Sequence, residues 1–316
     1  MQLRSSICGL LLLAACAGKG GGGGDGGGSP PGGWTAGLGG AMGATSNGTD
    51  FTSRPAPTST DLYSLVCVGH QLGWAGGAAG TMIATSDGGD TWFRQSVPVS
   101  VALRGVSFAD AHHGIAVGDA GTLLVSPDGG YTWSAVMSPT TVSLRAAALS
   151  RVSLAWAAGE AGTILRSTDS GMSYSVVRSG GATLRAIKFA QDASHGFAAG
   201  DAGTLLATSD GGATWRSLPA ARADLHGLSI SDDGMRVVAV GVGGLIVRSL
   251  DRGATWAEIG SGSTQALNAI GFFDGNTEVG WAVGNAGTIL YTEDGGGSFR
   301  ALQTPLAADL YSVEDL

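Results

Sequence analysis

The strongest constraint on this 316-residue chain is an eight-residue phrase that returns at a nearly fixed interval. TSDGGDTW (85–92) is followed by SPDGGYTW (126–133), STDSGMSY (167–174), TSDGGATW (208–215), SLDRGATW (249–256) and TEDGGGSF (292–299). Their aspartates are Asp87, Asp128, Asp169, Asp210, Asp251 and Asp294, four times 41 residues apart and once 43. A worn seventh copy precedes them: WTAGLGGAMGATSNG (34–48) lies over WAGGAAGTMIATSDG (74–88) at an offset of 40, with Asn47 in the aspartate's place. Such a period means a repeat architecture, in which each unit buries its apolar face only against its neighbours.

In the copy that holds Asp128, turn residues separate four short runs rich in strand formers: LRGVSF (103–108), GIAVG (114–118), TLLVS (122–126) and YTWSAV (131–136). Four strands in about 40 residues is the content of one propeller blade, whereas a solenoid needs distinct capping repeats. The terminal copies favour the ring. LYSVEDL (310–316) matches LYSLVCV (62–68), the first strand of a blade, while the N-terminal copy has the last three strands and lacks the first. Together they make one blade. The expected fold is therefore all-β: a seven-bladed β-propeller of four-stranded blades over residues 34–316, closed by the C-terminal strand joining the N-terminal blade. The 56 glycines, about 18% of the chain against roughly 7% in average proteins, are then turn residues repeated blade by blade.

The phrase S-x-D-x-G-x-T-W falls in the turn between third and fourth strands. Its aspartate is suited to accept hydrogen bonds from turn N–H groups, and its glycine to take a positive φ. The aromatic (Trp92, Trp133, Trp215, Trp256) is expected to open the fourth strand and pack between blades. One carboxylate per turn is too few for calcium, so no metal or cofactor is expected. His112 and His113 are adjacent rather than at ligand spacing, and Cys67 takes a strand position held elsewhere by Phe108, Phe189 and Ile230, as a small buried hydrophobe would.

Because the blades are copies, one position can be compared seven times. The residue after the leading leucine reads Tyr63, Arg104, Arg145, Arg185, His226, Asn268 and Tyr311, and should form a ring at one mouth of the central channel. The position just after the second strand reads Ala78, Asp119, Glu160, Asp201, Val242, Asn285 and Leu38. The two vary together: the three arginine blades alone carry an acid, pairing Arg104 with Asp119, Arg145 with Glu160 and Arg185 with Asp201 on the face opposite the aspartate turns. These are either salt bridges that stabilise the mouth or a binding arc for a carboxylate-bearing partner, with the acids orienting the guanidinium groups. The formal charge of −8 argues against a nucleic-acid partner.

Residues 1–15 read as an export signal: one basic residue, Arg4, then an apolar run too short to span a bilayer. Leu13-Ala14-Ala15-Cys16 resembles the bacterial lipoprotein box, which implies cleavage before Cys16 and lipidation of its thiol. Residues 16–33 would then be the lipid anchor and a flexible tether, 11 of residues 17–33 being glycine. The fingerprint G-x-G-x-x-G at Gly21, Gly23 and Gly26 is forced by that composition and carries no nucleotide site. Ala17 in place of an aspartate implies, by the same resemblance, the outer membrane, with the protein facing the periplasm or the cell surface.

The eight-residue phrase is similar to the Asp box, also called the bacterial neuraminidase repeat, found in sialidases and polysaccharide hydrolases among others. A glycosidase needs paired carboxylates, or a tyrosine nucleophile with an arginine cluster. Tyr63 and Tyr311 beside the arginine arc keep a carbohydrate-binding or sialidase-like alternative open, but there is no Arg-Ile-Pro motif and no long insertion to build a pocket. The even period, the lipobox and runs such as LRGVSF…AVGDAGTLL…DGGYTW resemble the photosystem II assembly and stability factor family over residues 34–316. That resemblance implies a non-catalytic, monomeric scaffold binding a protein client, such as a membrane-protein assembly intermediate, through an arginine patch that Arg104, Arg145 and Arg185 would match.

Overall fold

The computed structural model describes residues 32–150, 153–219, 221–273 and 276–315. The export signal, Cys16 and the tether up to residue 31 lie outside them. Seven antiparallel four-stranded sheets are present. Blade 1 runs Leu62–Val68, Leu72–Gly77, Met82–Thr85 and Phe93–Arg94. Blade 2 runs Leu103–Phe108, Gly114–Gly118, Leu123–Ser126 and Ser134–Ala135. Blades 3 to 6 repeat this plan, with first strands Leu144–Leu149, Leu184–Phe189, Leu225–Ile230 and Leu267–Phe273. Blade 7 is composite: Leu310–Asp315 pairs with Gly33–Gly37, followed by Met42–Thr45 and Thr52–Arg54. The ring is therefore closed by strand exchange, and its first exchanged strand begins at Gly33, the last residue assigned above to the tether.

The second strand of each blade is buried on both faces, because both face neighbouring blades. Its residues are accordingly small or apolar without alternation, as in Ala155–Gly159 and Val237–Gly241. An alanine fills one position of it in six blades (Ala75, Ala116, Ala157, Ala198, Ala239, Ala282), all fully buried. Thr35 takes that place in the composite blade, where its hydroxyl is buried without a partner.

The Asp-box turns are built as the phrase predicts. In blade 1 the Asp87 carboxylate accepts bonds from the Thr85 hydroxyl (2.7 Å), the Thr91 N–H (2.9 Å) and the Thr91 hydroxyl (2.5 Å). Asp128, Asp169, Asp210, Asp251 and Asp294 repeat the set, and Asn47 keeps the acceptor half through its Oδ1. With both oxygens saturated by their own turn, these carboxylates are structural, and no group of three metal-binding side chains occurs among the described residues. The Asp-box tryptophans pack between blades, but the fourth strand starts one residue later, at Phe93, Ser134, Arg216 and Ala257. No described helix is long and apolar enough to cross a membrane.

Candidate functional site

The seven residues of the predicted ring all line one cavity of about 560 Å³ in the central channel. A feature of the ladder puts them there. In blade 2, Leu103 pairs with Gly118 and Gly105 with Val117, so Arg104 has no partner of its own. The same skip occurs at Tyr63, Arg145, Arg185, His226, Asn268 and Tyr311. Each ring residue is thus the extra residue of a β-bulge, a device that re-aims a side chain away from the sheet's alternation. Gly118, across from the bulge, has no room for a side chain: a Cβ there would lie 2.1 Å from the Ala102 carbonyl oxygen.

The turn after Gly118 brings Asp119 to the bulged arginine. Arg104 donates from Nε (2.9 Å) and Nη2 (3.0 Å) to the two Asp119 oxygens, a bidentate pair. Arg145 donates to Glu160, and Arg185 donates through Nε and Nη2 to Asp201. The Arg104 hydrogen bond holds the Asp119 carboxyl below its ordinary range, and the Arg145 hydrogen bond does the same for Glu160. Neither suits the work of a general acid at neutral pH. A guanidinium carries five N–H donors. Arg104 spends two on its acid and Arg145 one, and Arg145 Nε is buried with no partner. The arc is therefore an oriented set of donors with capacity to spare.

The rest of the ring is linked side to side. The Arg104 guanidinium lies 4.4 Å over the Tyr63 ring, and Tyr63 meets Tyr311 at 5.8 Å. Asn268 Nδ2 donates to the Leu310 carbonyl (2.9 Å) and to Asn285 Oδ1 (2.9 Å), and Asn268 Oδ1 faces His226 Nδ1 at 3.2 Å. Beyond the arc, the turn residues Val242 and Leu38 are exposed, and Asp61, Asp224 and Asp309 stand just before the first strands of blades 1, 5 and 7, each accepting a turn N–H, so only blades 2 to 4 carry arginine at the mouth.

A model of the photosynthesis system II assembly factor YCF48 matches residues 91–181 and 177–266, more than half of the chain and all of the arginine arc. The chain belongs to the YCF48 family. Among solved structures, YCF48 bound to D1 peptide superposes with a TM-score of 0.64 at 22% identity, covering 78% of this chain and 84% of that one. YCF48 from Cyanidioschyzon merolae gives 0.62 at 18%, covering 78% and 86%. The GH74 xyloglucanase from Xanthomonas campestris gives 0.63 at 13%, covering 77% of this chain and 45% of the enzyme. At these identities the likeness establishes the fold. No curated protein matches the sequence.

In this YCF48-type ring, a second set of residues couples the blades that the sequence reading did not single out. Trp34, Trp74, Trp156 and Trp281 recur at one position of the second strand, and each indole N–H donates to an Asp-box glycine carbonyl of the next blade, at 3.3, 2.9, 3.0 and 2.7 Å. Trp74 and Trp156 also stack on Phe108 and Phe189 of the following blade. The recurrence was visible in the alignment of copies; the acceptors, being backbone, were not. At the inner strands, the hydroxyls of Ser64, Ser107 and Ser312 accept the N–H of Val106, Leu149 and Leu65 across blade boundaries.

Deeper in the channel, Lys188 of blade 4 reaches Glu314 of blade 7 at 3.7 Å. These blades are not neighbours, so the pair crosses the lumen. Cys67 is partly buried near this crossing, as Phe189 and Ile230 are at the same strand position, and burial, then Glu314 and Asp315, push its thiol well up. His113 bonds Asp110 (2.9 Å) in a surface loop, away from the ring.

Proposed function

We propose that this chain is a non-catalytic scaffold of the photosystem II assembly factor type, which holds a protein client against the arginine side of its channel mouth. The observation that carries the reading is the arc itself: three guanidinium groups on adjacent blades, each re-aimed by a bulge, oriented by an acid and left with unused donors. The arc lies wholly within the stretch matched by the family model. A relative bound to D1 peptide supports a polypeptide as the kind of client. The three acids of the arc are bonded to its arginines, which weighs against their serving the hydrolytic chemistry of the more distant xyloglucanase. With the export signal and a lipid on Cys16, the scaffold would work as a monomer tethered to the outer membrane, on the periplasmic or surface side.

Pull-down from native membranes tests this, with the Arg104→Ala/Arg145→Ala/Arg185→Ala protein as control. A client lost by the triple variant at unchanged melting temperature is the expected result. Equal capture by both proteins, or a glycan or hydrolase signal abolished by the same substitutions, would overturn it.

A further inference from the structure

We propose that His226 makes docking of an acidic client proton-linked: its imidazole is neutral in the empty mouth and takes up a proton at Nε2 when a carboxylate settles against the arginine arc. This rests on the client-binding reading of the mouth given above.

The tautomer follows from the neighbours. The Leu310 carbonyl only accepts, so the Asn268 atom 2.9 Å from it is the donating Nδ2. The other end of that amide, Oδ1, therefore faces His226, and across 3.2 Å it requires a proton on His226 Nδ1. In neutral His226 the lone pair is then on Nε2. His226 lines the channel cavity next to the arginine blade that carries Arg185, and Nδ1 is its one hydrogen-bonded ring atom.

The groups around it are few. Blade 4 contributes Arg185 and Asp201, which are bonded to each other, and blade 5 contributes Asp224, whose Oδ1 already accepts the Ala202 N–H at 2.7 Å. Blade 6 contributes only the neutral Asn268. Burial is the strongest influence and holds the imidazole below its ordinary range, so the empty site is neutral at pH 7. Asp201 and Asp224 are already engaged by other donors, so a client carboxylate brought to the arc supplies an anion free to bond Nε2. The ion pair at Nε2 forms with a proton taken from solvent, one per client bound, and no covalent bond changes.

The sign is fixed by linkage. Because the bound state holds an extra proton, affinity rises as pH falls, by at most about tenfold per pH unit between the free and bound imidazole pKa values. Aspartate and glutamate of a client, with ordinary pKa values near 4, stay ionised through this range. The test is calorimetric titration of the full chain with the N-acetylated peptide Ala-Asp-Ala-Glu-Ala at pH 7.5, 6.5 and 5.5, alongside proton NMR of the histidine ring signals. Affinity should rise several-fold toward pH 5.5, with the His226 midpoint moving upward when peptide is present. In His226→Gln the ratio of affinities at the two ends of the range should fall to about one. Binding that is independent of pH in the wild-type chain, or a pH response retained by His226→Gln, overturns the proton link while leaving the client reading intact. Failure of the peptide to bind at every pH, or undiminished binding by the arginine triple variant, overturns the client reading and this inference with it.

Discussion

Replacing Gly212 by alanine should destabilise the ring far more than the same change at Gly243, although both glycines have positive φ. Gly212 belongs to the Asp-box turn of blade 4, at φ +76, and a Cβ there would lie 2.4 Å from Trp156 Nε1 and 2.9 Å from its Cδ1. Trp156 is fully buried, stacked on Phe189 with ring centroids 3.5 Å apart, and bonded to the Gly211 carbonyl at 3.0 Å, so the indole has nowhere to go. Gly243, at φ +67, has nothing within 4 Å of its would-be Cβ, and alanine already occupies the same turn position at Ala120, Ala161 and Ala202. The left-handed backbone costs an alanine about 1 kcal/mol, partly offset by the lower entropy of its unfolded chain. Overpacking at Gly212 adds roughly 1–3 kcal/mol, and disturbing the indole hydrogen bond about 1 more. The expectation is about 3–4 kcal/mol for Gly212→Ala against about 1 or less for Gly243→Ala. For a domain of this size that is a difference of at least about 4 °C in melting temperature. Urea unfolding followed by tryptophan fluorescence, with calorimetry as a second probe, measures both variants. Repeating Gly212→Ala in a Trp156→Ala background should reduce its cost to that of Gly243→Ala. Equal losses at the two glycines, or an undiminished loss in the Trp156→Ala background, would show that the indole seat does not couple the blades.

Three further outcomes are expected. Asp87, Asp210 and Asp251 are lowered to about 2, first by the hydroxyls of Thr91, Thr214 and Thr255 and next by the N–H of the same residues. Folded-state values below the unfolded ones mean stability that is full above pH 4 and lost as pH falls through about 2, so urea midpoints should drop across that window, and an Asp→Asn change at all three should flatten the drop, since Asn47 keeps the acceptor contacts without a charge. Removing residues 306–316 takes away the fully buried Leu310 and nearly buried Val313, about 1.5–3 kcal/mol each, and bares the edge of Gly33–Gly37. Size-exclusion chromatography should find this truncated chain unfolded or associated, and a stable monomer would contradict ring closure by the C-terminal strand. Cys67, with its thiol pushed up by burial, should react with iodoacetamide at pH 8 at least about tenfold more slowly in the native protein than in urea, read by mass spectrometry of its peptide; equal rates would place the thiol in open solvent.

The blade count, the composite blade and the three arginine–acid pairs were legible because seven copies turn one sequence into its own alignment. Asp119 could be matched to Arg104 by co-variation alone, without knowing the geometry that joins them. What could not be read was the bulge at each ring residue: a skipped pairing depends on how a first strand meets the next turn, and nothing in LRGVSF marks Arg104 as unpaired. The indole bonds were hidden for a related reason. Trp156 and Gly211 are 55 residues apart, and the acceptor is a backbone oxygen that any residue would supply. Cys67 keeps the burial of its counterparts: it is partly buried, as Phe189 and Ile230 are at the same strand position, although among them stacking on a second-strand tryptophan is found only at Phe108 and Phe189.

The distribution of these contacts explains why one face of the ring is free to vary. The Asp-box turns lie at one end of the blades and recur with little change because each carboxylate closes its own turn, and at the same end a tryptophan bond ties four blades to the next. At the opposite end the bulged residue makes no ladder pair, and the glycine beside it, Gly118 in blade 2, satisfies the local geometry whatever the bulged side chain is. Substitution there costs the sheet little, so the position can read tyrosine, arginine, histidine or asparagine from blade to blade. It follows that a client should be specified by side chains at the mouth while stability is set at the other end. Exchanging Arg145 with Asn268 should therefore break the arc, and client capture with it, at little loss of melting temperature, whereas exchanging Trp156 with Ile115 should lower melting and leave the arc intact.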